Sequence, residues 1–448
     1  MAVRDAQSGK LNEELTRQVS IIEKCTIQTE KYGRLILASP PKTRYPYLYP
    51  RDTSSAVQLF RRLATSGRKY DVADQVFDLT ASTAHFIKDV MSPEGEWGQR
   101  YGLDGVNNSI YKQEDNVAHG IAILCNYLLA AHELGKEIDD LEQFLQCINL
   151  AITFAMERLF TRELNLFMST TSVHESEMER GYTCWVNYSF LHAFMLAAEV
   201  AKALDPKGII PTTKYDCFGK DFAYSVGELF IAGDRYVRRI DPSGGLDMRP
   251  DFTLLSPYYY GYLHRDKLDA SVEFLEKQLW DPELGMIMRY LPFYLDFSTH
   301  VHAGNGPWCQ YTAILAQYHY WKGDVEHGDM ILGLIDKYKN ENGEIPEHVS
   351  TPKRFEEFMN REWDTGLDFD KEFYKPMLLD GIEFGKILEE ANNMSDSYWD
   401  TASKRVFKEK SSEGGYIHFA VPLMWSHVEY SRALLVKSGD WWPATDAE

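Results

Sequence analysis

The chain has 448 residues, with 47 Lys and Arg against 67 Asp and Glu, a net charge of −20. Hydrophobic residues make up 44% of it and aromatics 13%, ample for a large buried core. The negative charge excludes nucleic acid and an anionic membrane as partners, because either would be repelled, and leaves a small neutral ligand such as an oligosaccharide as the compatible class.

The opening MAVRDAQSGK lacks the apolar stretch of a secretory signal, and no apolar run elsewhere is long enough to span a bilayer. The six cysteines, at 25, 125, 147, 184, 217 and 309, show no C-x-x-C pairing; several lie in apolar contexts such as Ala122-Ile123-Leu124-Cys125. They read as reduced buried thiols, which points to a cytoplasmic protein without structural zinc.

Apolar residues recur at helical spacing from end to end, and strand alternation is scarce. The spacing predicts helices over 11–32, 52–66, 70–90, 115–134, 139–160, 184–204, 219–232, 251–261, 266–278, 308–321, 324–338 and 420–437. Asp52-Thr53-Ser54-Ser55 supplies capping residues for the second, and Gly67, Gly135, Gly233 and Gly323 follow the second, fourth, seventh and tenth. Segment 184–204 is apolar on most faces and belongs between neighbours, whereas 11–32 carries charge on a broad face and belongs outside. Alternating inner and outer helices describe an all-α barrel of helical hairpins. The long, aromatic connections 39–51, 91–114, 161–183, 234–250, 279–307 and 339–419 fall between alternate pairs and so share one end. The last is too long for a plain loop and reads as a lid or insertion at the pocket, with 376–394 helical. No linker marks a boundary, so 1–448 is expected to be a single domain.

Two stretches carry the chemistry. Tyr45-Pro46-Tyr47-Leu48-Tyr49-Pro50-Arg51-Asp52 is an aromatic wall ending in a charged pair, suited to stacking on a sugar ring and binding its hydroxyls. Gly343-Glu344-Ile345-Pro346-Glu347-His348 holds a carboxylate in a Gly/Pro loop, suited to a base that activates water. Ser172-Val173-His174-Glu175 offers a second carboxylate, and two carboxylates across an aromatic pocket are the minimum for glycoside hydrolysis. Glu177 and Glu179, beside Arg180, are alternative acids; Glu429 is the alternative base, or an ion pair holding one end of the barrel. Histidines 119, 300, 302 and 427 show no ligand spacing, and His300-Val301-His302 lacks a third partner, so no metal is expected.

The 45–52 segment resembles the aromatic-Trp-x-Arg-Asp element of glycoside hydrolase family 15, the glucoamylases. Five more segments resemble that family's elements in order: Gly95-Glu96-Trp97-Gly98-Gln99-Arg100-Tyr101 with Gln113-Glu114-Asp115; Ser172 to Ser176; Gly304-Asn305-Gly306-Pro307-Trp308; Ile345-Pro346-Glu347-His348; and Pro422-Leu423-Met424-Trp425-Ser426-His427-Val428-Glu429. The resemblance spans 45–435 and implies an (α/α)6 barrel with inverting, exo-acting hydrolysis of a terminal α-glucosyl residue and no cofactor. It carries over Glu175 as general acid and Glu347 as general base, and it makes Tyr45, Tyr49, Arg51, Asp52, Trp97, Asp115, His174, Arg289 and Trp308 sugar-binding residues. His174 and Ser176 stand where the family has Trp and a carboxylate, and those positions face the leaving group. Short α-1,6-linked substrates such as isomaltose are the first expectation. A trehalase on the same scaffold is the runner-up. A non-catalytic glucan-sensing barrel is the rival from another class, and a purely structural helical scaffold leaves the clustered aromatic and charged loops unexplained. Oligomeric state is not legible.

Overall fold

The computed structural model describes residues 2–66, 69–175, 179–210, 212–261, 265–291, 306–360, 378–383, 385–386, 399–400, 402–406 and 415–441. In chain order the helices are α1 (Ala2–Lys24), α2 (Pro50–Ala64), α3 (Ala73–Val90), α4 (Asp115–Glu133), α5 (Leu141–Phe154), α6 (Cys184–Leu204), α7 (Thr212–Leu229), α8 (Ser256–Tyr260), α9 (Arg265–Leu279), α10 (Cys309–Lys322), α11 (Val325–Lys337), α12 (Pro352–Phe358) and α13 (Met424–Ser438). Their packing closes a ring. Helix α2 lies against α4, α4 against α6, and α6 against α8 with its preceding 3-10 turn, Phe252–Leu255. That turn packs on α10, α10 on α13, and α13 returns to α2. Outside the ring, α1 covers α13, α3 covers α2 and α4, α5 covers α4, α7 covers α6, α9 covers the 3-10 turn, and α11 covers α10. This is an all-α (α/α)6 barrel. Among the described residues, no helix is long and apolar enough to cross a membrane.

Burial separates the two layers as the sequence suggests. Helix α4 is buried at every position from Asp115 to Ala131 and α10 from Cys309 to Tyr320, because each has neighbours on all sides. Helix α11 buries only Gly328, Ile331, Leu332 and Ile335, one stripe of an outer helix. The free cysteines 25, 125, 184 and 309 are buried, and Cys147 is partly so.

Several boundaries differ from expectation for local reasons. Helix α1 ends at Lys24 rather than 32, because Thr26–Thr29 and Gly33–Ile36 pair as an antiparallel hairpin. β-Branched Thr26, Ile27 and Thr29 favour the strand. Helix α2 starts two residues early: Pro50, with its fixed φ, occupies the first turn and Tyr49 is the cap without a side-chain bond. Helix α5 gives way to a π-turn at Ala155–Leu159, and 251–261 divides into the 3-10 turn and α8. The predicted helix 376–394 lies largely outside the described residues, as does much of 339–419. The described part of that stretch includes His348–Ser350, which pairs with Ile417–Phe419.

The ring is tied at its centre by a buried carboxylate. Glu429 of α13 is fully buried and accepts from Ser55 Oγ of α2 (2.6 Å), Tyr259 Oη of α8 (2.8 Å), Gln317 Nε2 of α10 (2.9 Å) and Trp425 Nε1 (2.8 Å), with Arg432 Nη1 at 3.3 Å. Each bond is made where water is absent, so none can be replaced when lost. Glu429→Ala therefore leaves Arg432 and four other donors buried without their acceptor. The expected loss is about 3–5 kcal/mol in urea unfolding, with Glu429→Gln milder. An unchanged midpoint in the alanine variant would show that the cluster does not hold the ring.

Candidate active site

The inner helices begin at Pro50, Asp115, Cys184, Cys309 and Met424, and the loops that run into those starts carry the candidate residues. Helix starts present unpaired N–H groups and a partial positive charge, a suitable setting for carboxylates. Arg51 and Asp52 lie in the first turn of α2. Asp115, in the first turn of α4, grips Arg51 with both oxygens (Nε and Nη2, 3.0 Å each) and accepts from Trp185 Nε1 at 3.2 Å. Burial opposes its ionisation, but Arg51 and then His119 outweigh burial and hold the Asp115 carboxyl well below the usual range. Asp52 behaves oppositely. Burial pushes it up to about 7 against Arg51, and the charges of Glu347 and Glu175 both add to the rise. Asp52 is thus close to both candidate carboxylates.

Glu175 is presented by a loop that another carboxylate organises. Glu179 is buried and accepts from Thr171 Oγ1 (3.0 Å), Ser172 N (2.7 Å), Ser172 Oγ and His174 N (2.9 Å). The next residue, Glu175, takes φ +55°, left-handed for a non-glycine residue, and its N–H bonds back to Ser172 O. Its Oε1 receives Gln99 Nε2 (2.8 Å) and Gln113 Nε2 (2.5 Å). The amide oxygens of both glutamines accept elsewhere, from Ile110 N (3.0 Å) and Asn116 Nδ2 (3.2 Å), which fixes which end faces Glu175.

Glu347 is held by main chain on both sides: its N–H donates to Phe419 O (2.9 Å) and its carbonyl accepts from Cys309 N (2.8 Å). The loop before it is gripped by α13, where Ile345 N donates to His427 Nε2 (2.9 Å) and Ser426 Oγ donates to Pro346 O (2.9 Å). Strand 348–350 also passes so close to Gly306 that a Cβ there would sit 1.7 Å from Val349 O, so only glycine fits. One carboxylate oxygen, Glu347 Oε2, lies 3.4 Å from Tyr45 Oη and 3.3 Å from His348 Nδ1. The His348 ring is sandwiched between Trp308 (4.6 Å) and Phe419 (4.1 Å).

Arg289 reaches the same end of the barrel, joining the Glu175 loop to Trp308. Its guanidinium lies 4.7 Å over the Trp308 ring, and its Nε donates to His174 Nδ1 at 2.8 Å. Since Nδ1 accepts, the proton of the imidazole is on Nε2, which donates to Asp251 Oδ2 at 2.8 Å. Burial pushes the His174 pKa down, Asp251 resists and Arg289 adds to the fall, consistent with this neutral tautomer. Phe252 stacks on Tyr311 at 3.6 Å behind it.

No protein-family model matches the sequence, and no curated protein matches it. Solved structures do. A structure named "Glycosidase Wild Type" superposes with a TM-score of 0.60 at 14% identity, covering 97% of this chain and 98% of that one. A bacterial glucoamylase complexed with acarbose gives 0.63 at 14%, covering 98% of this chain and 57% of that one. The glucoamylase from Saccharomycopsis fibuligera gives 0.57 at 13%, covering 97% and 95%. The chain has the glucoamylase fold.

Within this glucoamylase-like barrel, Tyr45, Tyr49, Arg51, Asp52, Glu175, Arg289, Trp308 and Glu347 lie on the loops and first turns at one end, the starts of the inner helices. Three residues expected to bind sugar are placed differently. Trp97 is 2% exposed, donates to Ile87 O (2.8 Å) and lies flat on Gly120, where a Cβ would be 2.2 Å from its ring. Asp115 is fully buried and turned to Arg51, and His174 spends both nitrogens on Arg289 and Asp251. These two are struts behind the arginines. Glu179 and Glu429 are saturated by protein donors, while Ser176, Glu177, His300, His302, Gly304 and Asn305 lie outside the described residues. Gln99, Gln113 and Asp251 were not selected from the sequence; the first two stand inside quoted motifs, but Asp251 has no local signal.

The shared field at Asp52 is testable. In protein carrying ¹³C-carboxyl Asp, the Asp52 resonance should titrate near 7, and Glu347→Gln or Glu175→Gln should lower that pKa by removing a neighbouring negative charge. Titration unmoved by either change would show that the three carboxylates do not share one pocket.

Proposed function

We propose that the chain is an inverting, exo-acting α-glucoside hydrolase that releases β-glucose from the non-reducing end of short substrates, with the α-1,6 linkage of isomaltose preferred. The observation that carries this reading is the pair of loop carboxylates, Glu175 and Glu347, both acting on Asp52, with Arg51 and Arg289 held in position by buried partners. Glu175 is the general acid: two amides occupy Oε1, so the proton goes to the leaving oxygen from Oε2. Glu347 is the general base: Tyr45 and His348 lie against Oε2, and Oε1 takes the proton from water. That water adds to the anomeric carbon on the face opposite the departing oxygen, so the configuration inverts; an inverting pair stands about 6.5–9.5 Å apart to admit it. Arg51, Asp52 and Arg289 bind hydroxyls of the terminal glucose, and Trp308 and Tyr45 wall the pocket.

The fold supports the class, and one of the similar structures is a glycosidase variant in complex with glucose. The preference for short substrates is supported by the 339–419 insertion, part of which lies against the loop carrying Gln99 and Gln113. Leu378 bridges to Tyr111 there, and Leu379 N donates to Ile110 O at 3.0 Å. A segment on the acid's side restricts room for a long leaving group.

Glu175→Gln and Glu347→Ala are each expected to lower kcat by about 10²–10⁴-fold while the circular dichroism spectrum is unchanged. Isomaltose, maltose, trehalose and soluble starch are compared, with the anomer of released glucose read by NMR. β-Glucose first, with isomaltose ahead, is the expected result. α-Glucose first overturns inversion, exclusive cleavage of trehalose makes the protein a trehalase, and sugar binding without turnover makes it a sensing barrel.

A further inference from the structure

Three side chains from three different helices converge at the far end of the barrel wall. Glu276 of α9 points one oxygen, Oε1, at two imidazoles: His319 Nε2 of α10 at 3.1 Å and His327 Nε2 of α11 at 3.2 Å. The three donor atoms all lie within 4.8 Å of one another. The two rings are stacked, 4.1 Å between centroids with 9° between their planes, so binding one ion tilts one ring until both Nε2 lone pairs point at it. Two ligand atoms on one tetrahedral zinc, with bonds of about 2.0–2.2 Å, are about 3.3–3.5 Å apart. The observed separations to Glu276 are those of a ligand set drawn slightly tight.

We propose that Glu276, His319 and His327 form a binding site for a divalent transition-metal ion, best suited to Zn²⁺. Two imidazoles and one carboxylate are the donor set of such ions, and the nitrogen ligands disfavour Mg²⁺ and Ca²⁺. One position remains for water. The surroundings fit. His319 is 11% exposed, Glu276 24% and His327 36%, so the site is rooted in the wall and open on one side for entry. Asp324 caps α11 by accepting from His327 N (3.2 Å), which positions the helix turn bearing that ligand, and its Oδ2 lies 3.9 Å from His319 Nδ1. At that distance Asp324 is a negative charge beside the ring, which adds to the attraction for a cation. The net charge of −20 adds general attraction for a cation.

The position defines the role. Helix α10 begins at Cys309, whose N–H bonds Glu347 O, and His319 lies ten residues further along. At about 1.5 Å per residue the ion would be about 15 Å from the catalytic mouth. It therefore takes no part in hydrolysis. It would clamp α9 to the α10–α11 hairpin, two outer helices and the inner one between them, and stabilise the folded chain by mass action, since the three ligands meet only when the barrel is formed.

The test uses tag-free full-length protein, stripped with EDTA and titrated with ZnCl₂ by calorimetry, with Co²⁺ d–d absorption reporting coordination. One Zn²⁺ per chain, a rise in melting temperature reversed by EDTA, and affinity at least about tenfold weaker in both His327→Ala and Glu276→Gln are expected. His327 is on an exposed first turn, so its removal leaves the fold intact, and glucosidase activity should match the parent with or without metal. Equal zinc affinity in parent and variants, or no saturable binding in the parent, would overturn the site.

Discussion

Glu429, Asp115, Glu179 and Asp251 are buried carboxylates, each matched by protein donors or a counter-ion, and the architecture depends on that matching. Glu429 shows it most fully, joining α2, α8, α10 and α13 through one carboxylate. An apolar side chain there would pack against the same helices without fixing their rotation or register. Directional bonds in a dry core set both, because any other register leaves a polar group unpaired. Inner helices such as α4 and α10 can therefore be buried on all sides and still assemble in one arrangement.

The same logic continues to the mouth, where it serves the site. Asp115 is spent on Arg51, Asp251 on His174 and through it on Arg289, and Glu179 on the backbone that turns Glu175 outward. Buried carboxylates thus orient the arginines and the loop that carries Glu175, and the charges of Glu175 and Glu347 both act on Asp52. Burial, with the charges of Glu347 and Glu175 added, raises Asp52 to about 7, which keeps part of that negative charge neutral near physiological pH. Such a pocket suits a neutral polyhydroxyl ligand, whose hydroxyls both donate to carboxylates and accept from arginines.

His174 shows how a local departure is absorbed. A smaller, polar ring at that position is stabilised in one tautomer between a cation and an anion, and Tyr290 and Phe252 stand edge-on to it at 4.7 and 5.5 Å. Its influence on the ligand passes through Arg289. Leu378, from the stretch 339–419, rests on Ile110 and Tyr111 nearby.

Much of this was determined by the sequence alone. Helical periodicity marked the inner and outer helices, since burial on all sides or on one stripe is written into the spacing of apolar residues. Ordered motifs marked Arg51, Asp52, Glu175, Trp308 and Glu347, and the family resemblance added Arg289. Local steric rules explain what the spacing missed, such as Pro50 opening α2 early and the β-branched hairpin that stops α1. Tertiary structure alone decided which carboxylates are saturated as struts. Glu175 and Glu179 are four residues apart with similar neighbours, yet the fold turns one toward the pocket and saturates the other with backbone donors. Trp97 looks like a sugar platform until Gly120 receives its ring, and Glu276, His319 and His327 share no spacing because they come from three helices. Sequence records side-chain chemistry and local period; which groups meet, and which are thereby used up, is set by contacts between residues distant along the chain.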